Sequence, residues 1–374
     1  MLGSISKFVG ASGLSGGLGF KDVISLLSGH NFEQATKTQD SETIAQLDNF
    51  KQGLAEHFRT SILPQQQQLE ANRLAKLAQL KNYVFIASLV SVVTIALCAA
   101  AMLYLSGENA DFDAYKLPGV ISIIIISGVF YWATAPAREY CKLIKDEVFG
   151  KIISFLGEKF SFNFKSSIQA KLTSSDILPQ YDTWKSDDII CGEHDGVSIE
   201  IEECKLTYTS GSGKHRRTVT SFRGIMVLLS MNKNFNGKTV VKADSGGVGN
   251  WLSDKFSDKE TIHLEDPQFE KMFQVYASDQ IEARYLLTTA FMDRLIKLRE
   301  SFGAGGIEGR HGDFQCSFFA NQLLITIPLA KNMFEPKPIT EPALQTADVL
   351  NFLEEIFMIF EIIDQLKLNM KIGL

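Results

Sequence analysis

The chain has 374 residues, 45% of them hydrophobic, and a formal net charge of −6. That length supplies a sizeable core with material to spare, and the acidic balance excludes a global basic field for holding nucleic acid. Five cysteines (Cys98, Cys141, Cys191, Cys204 and Cys316) include no CxxC pair, which argues against a disulfide framework and suits a reducing compartment.

Residues 1–40 read as a flexible Gly/Ser-rich tail rather than a signal peptide, because glycines and serines interrupt every apolar stretch and Lys7 is the one basic residue near the start. "GLSGG" at 13–17 spells a nucleophile elbow, yet it lacks the preceding strand that such an elbow needs. Residues 41–82 form the juxtamembrane region. Ile44, Leu47, Leu54, Phe58 and Ile62 recur at helical spacing, with Asp40 or Ser41 as cap. Pro64 is expected to end or kink that helix, and a second one carries Leu69, Leu74, Leu77 and Leu80 onward.

Two uncharged runs follow, at 83–105 and about 117–137. The first would reach about 34 Å as a helix, enough to cross a bilayer core. Tyr83, Tyr104, Tyr131 and Trp132 sit near the ends, where amphipathic rings favour the headgroup layer. Arg73, Lys76 and Lys81 precede the pair, and Arg138, Lys142, Lys145 and Lys151 follow it. The connection between them holds Glu108, Asp111 and Asp113 against Lys116. The positive-inside rule then gives a two-span transmembrane helical hairpin with both termini cytoplasmic, as in the inner (plasma) membrane of a bacterium. Tyr140, Ile144, Val148, Ile152 and Phe155 make a stripe over 138–160, predicted to pack with the helices before the spans as a helical stalk.

From 161 to 374 the pattern becomes that of a cytoplasmic α+β domain, a mixed, mostly antiparallel sheet with packed helices. Hairpins are predicted at Asp195-Gly196, near Asn236-Gly237 and around Asn321. In the first, Val197, Ile199 and Ile201 alternate with polar residues. The apolar parity then shifts to Cys204, Leu206 and Tyr208, which predicts a bulge near Glu202-Glu203. "GIMVLL" at 224–229 reads as a central strand covered on both faces. One helix starts at Asp279. A second spans about 346–368, and Glu354, Glu355, Glu361 and Asp364 make it a core-packing amphipathic helix rather than a third span.

The chemistry-bearing stretch is "SDQIEARYLL". Asp279 and Glu282 have the spacing of a capping box, with Glu282 reaching back to the cap's own N–H. Arg284, Tyr285 and, elsewhere, Arg223 are candidate contacts for a ligand or partner, and no catalytic pair is visible. "GSGKHRRT" places Lys214, Arg216 and Arg217 at a hairpin tip, where they are candidate contacts for anionic lipid. "SGGVGNWL" lacks the third glycine of a dinucleotide loop. Cys191, His194 and Cys204, or His311 with Cys316, lack zinc-site spacing, so neither a metal nor another cofactor is expected.

"FRGIMVLLSMNKNFNGKTVV", "FQVYASDQIEARYLLTTAFMDRL" and "SFFANQLLITIP" followed by "MFEP" resemble, in order, a bacterial domain-of-unknown-function family, number three-one-three-seven, over about residues 222–336. The resemblance implies membrane helices ahead of a cytoplasmic domain and a LemA-type membrane protein as a possible partner, and it carries over no catalytic residue. The expected protein is therefore a membrane-anchored partner- or ligand-binding module whose partners are the lipid bilayer and a protein, and not nucleic acid. The alternatives are a membrane-tethered enzyme with an unrecognised site and a structural oligomeric subunit.

Overall fold

The computed structural model describes residues 20–28, 32, 41–105, 112–157, 159–162, 168–172, 174–243, 260–303, 315–329, 332–343 and 345–366. The chain divides into two compact units: Met1–Lys151 with Glu335–Asn351, and Ile152–Phe334 with Phe352–Leu374.

The first unit is helical. Its early helices are α1 (Phe20–Leu27), α2 (Ser41–Ala45) and α3 (Leu54–His57). Ile44, Leu47, Leu54, Phe58 and Ile62 are all buried, as their spacing predicts, but not on one helix. Gly53 adopts φ 87, a left-handed conformation that breaks the run, and the Asp48 carboxylate then accepts the Ala55 N–H at 2.8 Å. Pro64 falls in a short 3-10 turn, Leu63–Gln65, where a missing N–H costs little, and helix resumes directly after it.

From there α4 (Gln66–Leu105) runs unbroken for 40 residues, with neither Gly nor Pro to interrupt it. Leu69, Arg73, Leu77, Leu80, Val84, Ala87 and Ser91 are its buried residues, three or four apart, so they form one seam. The chain returns through α5 (Phe112–Ala133), α6 (Ala135–Ile144), a π turn at Lys145–Phe149 and α7 (Gly150–Leu156). Tyr83 stacks on Trp132 with ring centroids 4.2 Å apart, Lys76 pairs with Glu139, and Lys151 Nζ donates to Gln65 Oε1 at 2.7 Å. These three links make the two arms antiparallel. Tyr140, Ile144 and Val148 are buried, as the predicted stripe requires.

Residues 335–351 belong to this unit through a buried ion pair. Arg73, 0% exposed, pairs with Glu70 at 2.6 Å and donates to the Ile339 carbonyl at 2.9 Å. Glu70 in turn accepts the Ala343 N–H at 2.9 Å.

The second unit is α+β. Its strands are β1 (Ser161–Phe162), β2 (Thr183–His194), β3 (Val197–Ser210), β4 (Arg217–Ser230), β5 (Thr239–Ala243), β6 (Glu260–Thr261), β7 (Phe273–Ala277), β8 (Gln315–Phe319) and β9 (Gln322–Pro328). Its helices are α8 (Ile168–Leu172), α9 (Pro267–Met272), α10 (Gln280–Leu286), α11 (Thr289–Gly303) and, from Phe352 onward, α12 (Thr346–Leu366). Among the described residues nine strands form one sheet in the order β1-β2-β3-β4-β9-β8-β5-β7-β6, with antiparallel pairing throughout.

Ile168, Leu172, Ile177 and Leu178 pack on one face, over Cys204, Leu206, Met226, Leu228, Val240 and Leu324. On the other face Phe291 of α11 meets Phe318, Phe269 of α9 stacks on Phe273, and Phe360 of α12 stacks on His194. Ile225 to Leu229 are accordingly buried throughout, as a doubly covered central strand requires.

The predicted turns at Asp195-Gly196 (φ 49 and 82) and at Ala320-Asn321 (φ 48 and 59) have the paired positive φ of tight hairpins. Two other expectations fail. β4 and β5 do not form a hairpin, because the β8–β9 hairpin lies between them in the sheet. The connecting chain wraps the tip of that hairpin: Met231 N–H donates to the Asn321 carbonyl and Phe235 N–H to the Asn321 side chain, at 3.0 and 2.9 Å. The irregularity expected near Glu202-Glu203 lies in the facing strand, between Ser186 and Ile189 of β2, while β3 stays in regular register there with β4. The parity shift in β3 has another cause. Both of its faces are buried, so Ile201 serves one core and Cys204 and Leu206 serve the other.

Candidate functional site

The most unusual surface is on the first unit. Leu97, Leu103, Leu117 and Ile124 are 65%, 75%, 66% and 65% exposed, amid Phe85, Ile86, Leu89, Val92, Val93, Ile95, Val120, Ile121, Ile123 and Ile125. Outside α4 and α5, the exposed large hydrophobic residues among those described are Ile24, Leu27, Ile281 and Tyr285. Soluble monomers rarely expose a contiguous apolar surface of this kind. Leu54–Leu105 and Lys116–Leu156 each contain a helix long and apolar enough to cross a membrane. Glu108 and Asp111, on the predicted outer connection, lie outside the described residues, as do the "GLSGG" and "SGGVGNWL" stretches.

In the second unit, Asp279 caps α10 as its type predicts, accepting the N–H groups of Ile281 and Glu282 at 2.7 and 3.0 Å. Glu282 does something the sequence did not reveal. Rather than closing a capping box, its carboxylate accepts the N–H of Asn236 at 3.0 Å and that of Gly237. A side chain at Gly237 would meet Glu282 Oε2 at 2.6 Å. A larger residue there would have to displace the Glu282 carboxylate, and the position does not turn a hairpin.

Arg284 is exposed, pairs with Glu265 and donates to the His263 carbonyl at 2.9 Å. Tyr285 presents its ring to Lys233 at 4.4 Å, and Lys233 also donates to the Tyr285 carbonyl at 2.8 Å. Burial pulls the Lys233 amine below its usual range. Ile281, 81% exposed, and Tyr285 lie one turn apart on α10, so this end of the helix offers an apolar pair beside a cation.

Arg223 sits on β4 and joins a different network, donating to Asn332, which donates to Asp187 at 3.0 Å. No hydrogen bond or ring contact among the described residues brings Arg223 to Arg284 or Tyr285. The sequence candidates therefore do not converge on one site. Arg216 and Arg217 are exposed at the β3–β4 tip, and the side chain of Lys214 lies outside the described residues.

A buried carboxylate escaped the sequence reading. Glu202, 1% exposed, accepts from Trp184 Nε1 at 2.6 Å and from Ser186 Oγ, while its second oxygen makes no hydrogen bond. The parity shift in β3 was its one trace in the sequence.

For metals, Cys191 and Cys204 lie on the sheet face opposite to His194, so the three cannot converge. Burial pushes the Cys204 and Cys316 thiols far above their usual value and keeps them protonated. His194, Asp195 and Asp364 do offer three ligand atoms within 4.8 Å of one another, with both aspartates exposed. His194 is held by its stacking on Phe360 at 4.6 Å.

No curated protein matches the chain. Among solved structures, the crystal structure of the mycobacterial trehalose monomycolate transport factor A, TtfA, aligns over 55% of this chain and 88% of that one, at 10% identity and a TM-score of 0.31. A likeness that slight carries no conclusion about function. Residues 220–368 match the model of a family described as "Protein of unknown function (DUF3137)", and it is this family that the chain resembles.

Proposed function

We propose that the chain is a membrane-anchored protein whose sheet-bearing unit binds a partner or ligand at the cytoplasmic face of a bacterial plasma membrane. On this reading α4 and α5 form a two-span hairpin over 83–105 and about 117–137. Residues 41–82 and 138–160 make the stalk, and 161–374 the cytoplasmic domain. The observation that carries it is the band of exposed Leu, Ile, Val and Phe on α4 and α5, whose outward side chains suit hydrocarbon and not water. Lys76, Lys81, Arg138 and Lys142 beside the hairpin's open end support the cytoplasmic placement of both termini.

The binding role is supported by the exposed Ile281–Tyr285 pair with Lys233 beside it, a combination of aromatic and apolar residues typical of contact surfaces. The family resemblance makes a LemA-type membrane protein the first partner to seek. The test is carbonate extraction and a cytoplasmic-activity reporter fused after Leu374, followed by purification from native membranes of the wild type and of an Ile281→Ser, Tyr285→Ser variant. Retention in the membrane, a cytoplasmically active reporter and a co-purifying protein lost from the variant are expected. Release by carbonate overturns the anchor, and identical recovery from both proteins overturns the contact surface.

A further inference from the structure

We infer that the free end of the β3–β4 hairpin, with the edge of β2 beside it, docks on anionic lipid headgroups. The strand register exposes this end. β9 pairs with β4 no further than Gly224, and β2 pairs with β3 no further than Thr207. Tyr208–Ser210 and Arg217–Val219 therefore continue as a bare two-stranded ribbon.

At the root of the ribbon Lys185, Lys205 and Arg223 face one another across three adjacent strands, Lys185 opposite Lys205 and Lys205 opposite Arg223. Like charges directly opposite in a sheet repel, so this row destabilises the sheet unless an anion lies over it. Exposed Arg216 and Arg217 extend the positive charge to the tip.

Among the described residues, Lys185, Lys205, Arg216 and Arg217 form no ion pair with a carboxylate. Elsewhere in this unit Lys159, Lys171, Lys238, Arg284 and Lys297 each have one, while Lys233, Lys271, Arg294 and Arg299, spread over other elements, do not. Of the acids nearby, Asp182 accepts the Thr209 N–H at 2.6 Å, Asp187 accepts from Asn332, which holds Arg223, and Asp188 and Glu203 are buried at the β2 irregularity. In a chain of net charge −6, exposed cations without a carboxylate ion pair, gathered at the root and tip of one projecting ribbon, are complementary to an anionic surface.

The opposite side of the ribbon favours a bilayer as that surface. Tyr208 faces Val219, next to the Leu206–Phe222 pair, and Tyr181, Trp184 and Phe222 are partly buried at the root. The ribbon thus carries basic residues at its root and tip, with threonines between them on one side and Tyr208 and Val219 on the other, a distribution suited to the headgroup layer.

The full-length protein, reconstituted in neutral phosphatidylcholine vesicles, is mixed with fluorescent vesicles containing about one third phosphatidylglycerol, and capture is measured by co-sedimentation. Capture of the phosphatidylglycerol vesicles, none of pure phosphatidylcholine vesicles, and weakening by added salt are expected. The triple variant Lys205→Glu, Arg216→Glu, Arg217→Glu is expected to lose capture at least tenfold with no fall in the unfolding midpoint, since all three side chains are exposed and Lys205→Glu replaces like charges by opposite ones between Lys185 and Arg223. Flotation of the protein with its own neutral vesicles reports the anchor separately. A protein that floats but captures no phosphatidylglycerol vesicles, or a triple variant that captures them as well as the wild type, overturns the inference. So does capture of a single-stranded oligonucleotide in preference to the vesicles.

Discussion

Leu228 and Leu97 are the same residue in opposite circumstances: one is 2% exposed in the middle of β4, the other 65% exposed on α4. The sheet unit turns its large apolar side chains inward, while along α4 the inward seam narrows to Ala87 and Ser91 and the large side chains point out. A helix pair in water is driven together by the area it hides. A pair in hydrocarbon gains nothing that way and packs through small residues instead. The two units differ in where they place their large apolar side chains, inward in the sheet unit and outward along α4 and α5.

The sharpest way to break this contrast is to place charge on each surface. Leu97→Arg with Ile124→Arg is expected to abolish carbonate-resistant membrane association, because a cation at the centre of a span costs about 2.5–3.5 kcal/mol. On a surface facing water the same changes would fall within about 0.5 kcal/mol and raise solubility. Truncation gives the mirror image: Leu228→Ala should destabilise the sheet unit by about 2–5 kcal/mol in denaturant unfolding. Leu97→Ala in detergent should cost much less, since little packs against that side chain. Equal costs at the two leucines would remove the distinction.

The contrast can be sharpened at Arg73, where the helical unit buries a full charge while exposing leucines. Arg73→Ala leaves the Glu70 carboxylate and the Ile339 carbonyl without their partner, and a loss of about 3–5 kcal/mol is expected in thermal unfolding of the detergent-solubilised protein. Replacing both members, Arg73→Met with Glu70→Met, should recover much of that loss, because no charge is then stranded. If the single variant unfolds like the wild type, the ion pair does not hold the 335–351 segment.

Arg73 also marks where the sequence was legible and where it was not. The long uncharged runs, the stripe through Tyr140, Ile144 and Val148, and the turns at Asp195-Gly196 and Asn321 follow from local periodicity and backbone preference, and the structure has them. Arg73 reads in the sequence as a charge flanking a span. Its burial depends on Ile339 and Ala343, more than 260 residues away, and no local pattern signals that. The β4–β5 misreading has the same origin. "NG" between apolar runs is a strong local hairpin signal, but insertion of the β8–β9 hairpin between those strands is a non-local event. Candidate site residues fared likewise: Arg223 and Tyr285 were chosen by type, and each proved to be engaged in a separate network.

Asp279 and Glu282 allow the smallest and most discriminating test, because the capping box and the structure assign Glu282 different partners. Asp279→Ala removes an ordinary cap, with an expected cost of about 1 kcal/mol. If Glu282 only completed that cap, its removal would cost no more. Because it accepts the Asn236 and Gly237 N–H groups from the β4–β5 connection, Glu282→Ala removes two charge-assisted hydrogen bonds, one of them part-buried, and should cost about 2 kcal/mol. Hydrogen exchange separates the two cases by place as well as by size. Loss of Asp279 should speed exchange at Ile281 and Glu282, whereas loss of Glu282 should speed it at Asn236 and Gly237. Faster exchange confined to α10 in both variants would return Glu282 to the role of a cap and leave the β4–β5 connection held without it, by Asn321 and by the Lys233 and Lys238 hydrogen bonds.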